Sequence, residues 1–556
     1  VKNQSADMTP GPAAARTQSR FRYGLSILSG VMLGFSFPPS TFGILACFGL
    51  VPLLIALSGV ERLRTALKFS YVAMAVFHVI TLNWTGGYVH AHDPYMMIAG
   101  AITMLLHPAF YFLPMGAYHA VRKNLGNRAA LIAFPFLWVG YEYSHSLSEW
   151  SFPWLTIGNS QSYDLLRMQF ISVTGIYGLS VWVLVLNVIA YLLYLSLVDG
   201  RGKSLLRGSL GWLAILLAVY IAPAVQGMFV LSGVPAEPTA EKRLTVGIIQ
   251  ANVDPWEKWR SSGAEATALY VRLTDSLLAE HKGAQIVFWP ETALPVYLLA
   301  PGNALLLHGL KRAVDSLGVA IVTGMEHAIV YGDSTKAPAG ARRTRFGERY
   351  DSFNAAAFIQ PRLSDVAWYG KMKMVPLAER IPYADAFAYL DFMRWGVGIG
   401  GWQIGPDTVV FTERESGVRF STIICYESVY PGFVASFVRK GAEFIALITI
   451  DSWWGRMSGA FQHQQFAVFR AVENRRWIVR CAVGGISCFI DPYGRAYDRT
   501  ELFTRATLNR TIGLSDTMTF YTAHGDWLGE IMLLVAGLFG AAAVGQKFLH
   551  RRGGAP

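Results

Sequence analysis

The feature that most limits what this chain can become is a series of apolar stretches, most of them close to the ~20 residues a helix needs to cross a ~30 Å hydrocarbon core. They fall at roughly 23–37, 41–58, 69–88, 95–120, 129–145, 168–197 and 209–231, and once more at 527–549 after a long hydrophilic interval. The first is short and meets the second at Phe37-Pro38-Pro39-Ser40, so this pair also reads as a hairpin. Only 15% of the 556 residues are charged and 53% are apolar, where a soluble domain carries about 25% charged. That balance excludes a disordered chain, a collagen or a disulfide scaffold. The expectation is a multi-pass α-helical membrane domain of about eight spans joined to one hydrophilic block.

Orientation follows from the cations, which cytoplasmic loops retain. Arg16, Arg20 and Arg22, then Arg62, Arg64 and Lys68, then Arg122, Lys123 and Arg128, then Arg201, Lys203 and Arg207, and finally Lys547, Arg551 and Arg552 occupy alternate connections. The loops between them, 38–41, 86–94 and 146–167, carry a single base, Arg167. Both chain ends are therefore expected in the cytoplasm and residues 232–526 outside it. The net charge of +11 is then mostly topological and calls for no nucleic-acid partner. Near the N-terminus the basic region leads into a hydrophobic stretch with no A-x-A-type site, which reads as an anchor rather than a cleaved signal. Gly30-x-x-x-Gly34 is a weak helix-packing signal.

The segmentation expected is a cytoplasmic tail over 1–22, an N-terminal membrane domain of about seven spans over 23–231, an α/β domain over 244–512 and a C-terminal transmembrane helix over 527–549. Short buried-strand patterns occur at Leu244–Asn252, Gln285–Trp289, Val319–Thr323, Ala355–Gln360, Val418–Cys425, Phe444–Ile450, Ile478–Val483 and Ser487–Asp491, with helix-period stretches at 264–281 and 302–316. Such alternation argues a layered α/β fold. Residues 331–350, rich in Gly, Ala, Arg and Thr, read as a mobile or hairpin insertion.

Three side chains of this block could act together. Cys425 ends an apolar strand ahead of a helical stretch near Pro431, where a helix dipole lowers a thiol pKa, although a lone cysteine is as readily a core residue. Glu291 follows a strand through Pro290 at the carboxyl edge of a sheet, where burial would lift it toward a working general base; the plainer reading is a capping residue. Lys371 could steady a developing oxyanion or be a surface lysine. Cys481 and Cys488 lie within strands and read as core, and Cys47 lies inside a span. An odd number of cysteines outside the membrane leaves at least one thiol free.

The ordered set Gln250-Ala-Asn252, Trp289-Pro-Glu291, Lys371 with Val375-Pro376 and Glu379, Ile424-Cys-Tyr-Glu427 and Asp451-Ser-Trp-Trp-Gly455 resembles the nitrilase (carbon–nitrogen hydrolase) superfamily with its Glu-Lys-Cys triad. Phe37-Pro-Pro39, Leu50-Val-Pro-Leu-Leu54, Phe152-Pro-Trp-Leu155, Gly158-Asn-Ser-Gln161 and Gly175-Ile-Tyr-Gly-Leu179 extend the resemblance, over about 21–549, to the apolipoprotein N-acyltransferase family. It implies an extracytoplasmic αββα nitrilase-like sandwich on a bacterial inner membrane, facing the periplasm, and no cofactor or metal. It implies Glu291 as base, Lys371 as stabiliser of tetrahedral intermediates and Cys425 as nucleophile. As substrate-binding residues it implies Glu379, Tyr426, Glu427, Trp259 near the acyl-chain entrance and, less closely matched, Asn354. Lys373-Met-Val-Pro-Leu-Ala-Glu379 and Ile450-Asp-Ser-Trp-Trp-Gly455 depart from the family's usual runs in positions that would line the pocket.

The function implied is transfer of a fatty acyl chain from a phospholipid to the N-terminal diacylglyceryl-cysteine amine of an apolipoprotein, through a thioester on Cys425, as the last step of lipoprotein maturation. The alternative is a membrane-tethered amidase or nitrilase acting on a small amide. The aromatic stretch 383–402, with Tyr383, Phe387, Tyr389, Phe392, Met393, Trp395 and Trp402, reads as an interfacial arm or as a packed loop. His90 and His92 lack a third ligand and read as a wet loop, and Glu142 at the end of a span reads as a structural hydrogen-bonding group or a site.

Overall fold

The computed structural model describes residues 12–88, 94–199, 203–234, 242–333, 335, 337–338, 341–344, 346–383 and 401–553. His90, His92 and most of the aromatic stretch, including Phe387, Tyr389, Phe392, Met393 and Trp395, lie outside the described residues.

Among the described residues, five helices are long and apolar enough to cross a membrane: Leu63–Leu82, Met96–Leu125, Ile176–Val198, Gly208–Ser232 and Trp527–His550. Pro12–Gly34, Val51–Leu57 and Asn127–Ser146 are also helical. The first begins inside the segment expected to be a tail, because Ala13, Ala14 and Ala15 and the long polar side chains that follow are good helix formers. The stretch expected at 168–197 becomes a long helix only at Ile176, after Gly175 with φ +63° has ended the short turn Ile171–Thr174. Leu210, Leu217, Ile221, Met228 and Phe229 stand exposed on one helix, an apolar face suited to lipid. A Cβ on Gly30 would come within 2.4 Å of the Ala73 carbonyl and one on Gly34 within 2.6 Å of the Ile80 side chain, so both glycines sit where two helices cross.

Two sheets follow. The first contains β1 (Arg243–Gln250), β2 (Ile286–Phe288), β3 (Leu294–Tyr297), β4 (Ala320–Tyr331), β5 (Arg342–Arg343), β6 (Arg349–Ile359) and β7 (Ala367–Gly370). The second contains β8 (Phe411–Thr412), β9 (Arg419–Ile424), β10 (Phe444–Thr449), β11 (Ile478–Ala482), β12 (Cys488–Ile490) and β13 (Ala496–Tyr497); β14 (Ala506–Gly513) returns to the first. Their orders are β14-β1-β2-β4-β6-β5, with β3 on β4 and β7 on β6, and β13-β12-β11-β10-β9-β8. β1, β2 and β4 run parallel, as do β9, β10 and β11, so each sheet has an edge where several strands end together.

Strand alternation sets the layers. Ile249, Val287 and Ile321 pack with Tyr270, Leu277, Leu310 and Val314 of the helices Gly263–Glu280 and Ala304–Leu317. Val246, Ile248 and Phe288 turn inward, where Phe288 meets the Phe420 and Phe444 rings at 5.9 and 6.2 Å. Helices Pro431–Arg439 and Ser458–Asn474 cover the second sheet, completing an α-β-β-α sandwich. A reciprocal Ser262–Glu265 capping box starts one outer helix, and Gly318 in the left-handed region ends the other. The expected insertion at 331–350 is a hairpin extension: β4 runs on to Tyr331, β6 begins at Arg349, and β5 pairs with it.

The sandwich docks on the membrane helices through Ser458–Asn474. Gln462 uses its whole amide there: Nε2 donates to the carbonyls of Pro38 (2.9 Å) and Thr81 (3.1 Å), while Oε1 accepts from Trp84 Nε1 (3.0 Å) and Trp154 Nε1 (2.7 Å). Glu473 accepts from the Ile176 amide at 2.9 Å and pairs with Arg470 at 2.6 Å. Gln462→Leu would leave two indole N–H groups and two carbonyls buried without partners, each costing roughly 1–3 kcal/mol. A clearly lowered unfolding midpoint of the detergent-solubilised protein is the expected result, read by differential scanning fluorimetry.

Candidate active site

Glu291 leaves β2 through Trp289 and Pro290, and Trp289 anchors the turn by stacking on Tyr270 at 5.1 Å and donating to Thr274 Oγ1 at 3.0 Å. β4 passes directly beneath: a Cβ on Gly324 would lie 2.3 Å from the Thr292 nitrogen, so only glycine fits. The carboxylate is held from three sides. Oε1 accepts from Asn354 Nδ2 at 2.7 Å and faces Lys371 Nζ at 3.4 Å, and Oε2 accepts from the Ile450 amide at 3.0 Å.

Lys371 is not a surface lysine. It follows β7, its amide donates to the Asn354 carbonyl at 2.8 Å, and its ammonium is wholly buried, 2.6 Å from Glu379 Oε1. Burial works against the charge, but Glu379 and Glu291 outweigh it and hold Lys371 above the ordinary lysine pKa. Glu379 is itself braced by the Val375 amide at 2.9 Å.

Cys425 stands directly after β9 with φ +51°, at the head of the 3₁₀ turn Cys425–Val429; the helix proper begins only at Pro431. The thiol is therefore not at a helix N-terminus. Burial first, and then the Glu291 carboxylate, push its pKa up rather than down, against the pull of Lys371. The resting group is a neutral thiol in contact with the Thr449 side chain. Glu427 ties this elbow to the strand that carries Lys371: Oε2 accepts from the Ile424 amide at 2.7 Å, and Oε1 from Tyr369 Oη and the Met372 amide, both at 2.6 Å. Burial pushes the Glu427 carboxyl up to about 7, against those donors. Tyr426 Oη donates to the Ser151 carbonyl at 3.1 Å, joining the elbow to the membrane domain.

Cys425, Glu291, Glu379 and Tyr426 line one cavity of about 730 Å³. Its far wall is apolar and comes from the membrane domain, through Met96, Ile102, Leu106 and Phe110, of which the last three are partly exposed on the outer surface of the helices. The chamber thus reaches from the thiol to the exposed apolar side of these helices. A carboxylate and a thiol on its wall, with the Lys371 ammonium behind them against Glu291 and Glu379, can carry nucleophilic acyl chemistry.

Of the residues expected from sequence, Glu291, Asn354, Lys371 and Glu379 join directly and share the site with Cys425 and Tyr426, while Glu427 supports them from behind. Trp259 is not among the residues lining the cavity; Trp256 and Trp453 are, with rings 4.8 Å apart. Lys258, His463, Asp451 and Arg480 were not singled out for roles. Lys258 is buried against the Thr292 hydroxyl with Nζ 4.8 Å above the Trp259 ring. Burial pushes its pKa down to about 7, with Glu291 and Glu326 pulling the other way. A lysine between two tryptophan-bearing positions carries no sequence signal of burial. Cys481 and Cys488 are core residues, and all four cysteines are free and buried. Glu142 is a hydrogen-bonding group, accepting from Trp138 Nε1 at 3.0 Å and from the Ile157 amide at 2.7 Å.

Residues 29–189 match the family model of the apolipoprotein N-acyltransferase N-terminal domain, and residues 245–520 match that of carbon-nitrogen hydrolases. An apolipoprotein N-acyltransferase of Chlorobaculum tepidum is 34% identical over 94% of this chain and 96% of its own length. One from Geobacter metallireducens is 29% identical over 95% and 96%, and one from Pseudomonas aeruginosa 26% identical over 92% and 94%.

Two outcomes follow from the geometry. Glu427→Gln turns an amide N–H₂ toward backbone donors and is expected to cost about 1–3 kcal/mol, measured as a drop in thermal midpoint. Lys258 has a folded pKa of about 7, below the ~10.4 of an unfolded lysine. The stability its neutral form supplies is therefore present above pH ~10.4 and lost as pH falls through ~7. Lys258→Met, which does not titrate, should gain on the wild type in midpoint from pH ~10 down to ~7 and hold a constant difference below that.

Proposed function

This chain belongs to the apolipoprotein N-acyltransferase family, and on that premise we propose that it moves a fatty acyl chain from a phospholipid to the N-terminal diacylglyceryl-cysteine amine of apolipoproteins through a thioester on Cys425. The observation that carries the reading is the single chamber holding the thiol and two carboxylates at one end and opening among lipid-facing apolar side chains at the other. A small amide needs no such chamber.

In this reading Glu291 is the base. Because the resting thiol is protonated, attack requires Glu291 to take the Sγ proton as sulfur closes on the sn-1 ester carbonyl. The Lys371 ammonium balances the oxyanion as it forms. Collapse breaks the ester C–O bond, Glu291 returns the proton to the departing oxygen, and lysophospholipid leaves the acyl group on sulfur. The α-amine of the lipidated cysteine then attacks the thioester and Glu291 accepts its proton; collapse breaks the C–S bond and releases the amide while Glu291 returns that proton to the departing Cys425 sulfur. Glu379 keeps Lys371 charged and in place throughout, and Asn354 and the Ile450 amide keep Glu291 aimed.

Both substrates carry chains that stay in lipid, so the reaction site has to meet the bilayer surface. We infer eight crossings with both ends in the cytoplasm, and a catalytic domain over 244–512 facing the periplasm from the bacterial inner membrane. The five long apolar helices, the further helical segments beside them and the alternating Lys and Arg clusters support this.

Intact-mass spectrometry tests the chemistry. Purified protein incubated with a phospholipid whose two chains differ in length should gain the sn-1 acyl mass on Cys425, labile to hydroxylamine and absent in Cys425→Ala. A thiol left unmodified would overturn the proposal, and turnover of short amides without an adduct would point to an amidase instead.

A further inference from the structure

We propose that His463, braced by Asp451, is a positioning residue that holds the Cys425 elbow in its productive shape through the Cys425 carbonyl. The inference rests on the reading of Cys425 as the acyl-carrying thiol and adds a residue to it.

Cys425 has a side chain and yet sits in the left-handed region, at φ +51°. Such a backbone persists only where its surroundings over-determine it. Here the Cys425 carbonyl lies 2.9 Å from Ser428 Oγ and 3.0 Å from His463 Nε2. Ser428 belongs to the same turn and moves with it. His463 comes from the helix Ser458–Asn474, so of the two contacts to the carbonyl it is the one that ties it to a separate element. Pinning the carbonyl also fixes the direction of the Cα–Cβ bond, and with it the thiol.

Donor and acceptor roles complete the case. A carbonyl oxygen only accepts, so Nε2 carries a hydrogen. Nδ1 lies 2.8 Å from Asp451 Oδ1. The other Asp451 oxygen takes Arg480 Nη2 at 2.8 Å, and Arg480 and His463 outweigh burial to hold that carboxyl at about 2, so it too only accepts. Each ring nitrogen thus has a partner, Nδ1 at Asp451 and Nε2 at the Cys425 carbonyl, and the ring is held in place from both ends. Ser428, His463 and Asp451 have the spacing of a hydrolase triad, but Ser428 Oγ is buried, spends its hydrogen on the Cys425 carbonyl and does not line the cavity. The His463 ring does line it, held between the Trp154 and Trp454 rings at 5.6 and 6.0 Å.

The test uses the full chain in phospholipid–detergent micelles and two readouts: the rate of thioester formation, and the rate at which iodoacetamide alkylates Cys425 with no acyl donor present. His463→Leu is expected to slow thioester formation by about 100-fold and alkylation by about tenfold, with KM for phospholipid unchanged. His463→Gln, whose amide can donate to the same carbonyl, should recover most of both rates. Alkylation decides: a wild-type rate in His463→Leu, or equal losses in the Leu and Gln variants, overturns the proposal. Should His463→Leu fail to fold, Asp451→Asn takes its place, with the same slowing expected and wild-type alkylation overturning the idea. If the wild type alkylates normally but forms no thioester, the acyltransfer reading fails while the alkylation comparison still judges His463.

Discussion

An ammonium with no access to water is tolerated only when its charge is answered on the spot. Lys371 is answered twice, by Glu379 and Glu291, and much of the architecture serves to bring those three groups together. Glu291 comes from the end of β2, Lys371 from the end of β7 and Glu379 from the turn beyond, so the first sheet must present its carboxyl edge in one register. The second Glu291 oxygen is claimed by the Ile450 amide beyond β10, and Glu427 reaches back from β9 to β7, so the two sheets are cross-linked at that edge. Two carboxylates against one ammonium leave an excess of negative charge, and the adjacent Cys425 cannot readily become a third anion. Burial of the thiol is the larger cause of its neutrality, and the carboxylates gathered around the lysine add to it.

That same edge needs a lid, and the membrane domain supplies it. The contact is polar where intuition would make it greasy: Gln462 and Glu473, buried near the two ends of one helix, both bond to groups of the membrane domain. Each polar group is directional, so the catalytic domain can settle in only one orientation, which an apolar face of the same area would not dictate. Tyr426 and Tyr430, both bonded to Ser151, add the same restriction beside Cys425.

Much of this was legible beforehand because it depends on local pattern. Runs such as Ile286-Val287-Phe288 and Phe444–Thr449 are short, apolar and bounded by turns, and the long lipid-facing helices announce themselves by length. Glu291, Lys371 and Cys425 were found through the motifs around them rather than through any property of the residues alone. What escaped depends on distant neighbours. β14, with its Thr507, Asn509 and Arg510, lacks an apolar run, so only pairing with β1 reveals it. The helix Ser458–Asn474 reads as a surface helix until the membrane domain covers it, and His463 was hidden with it. The thiol pKa was misjudged because the strand-to-helix pattern suggested a dipole, whereas burial and a neighbouring carboxylate decide the charge.

The elbow also bears on survival. A thiolate standing in an oxidising compartment would be drawn toward sulfenic acid or into mixed disulfides, since those reactions belong to the anion. Here the thiol is neutral and buried, and the other three cysteines, also buried, form no disulfide with it. Burial and a raised pKa therefore keep this thiol in its less oxidisable, protonated form.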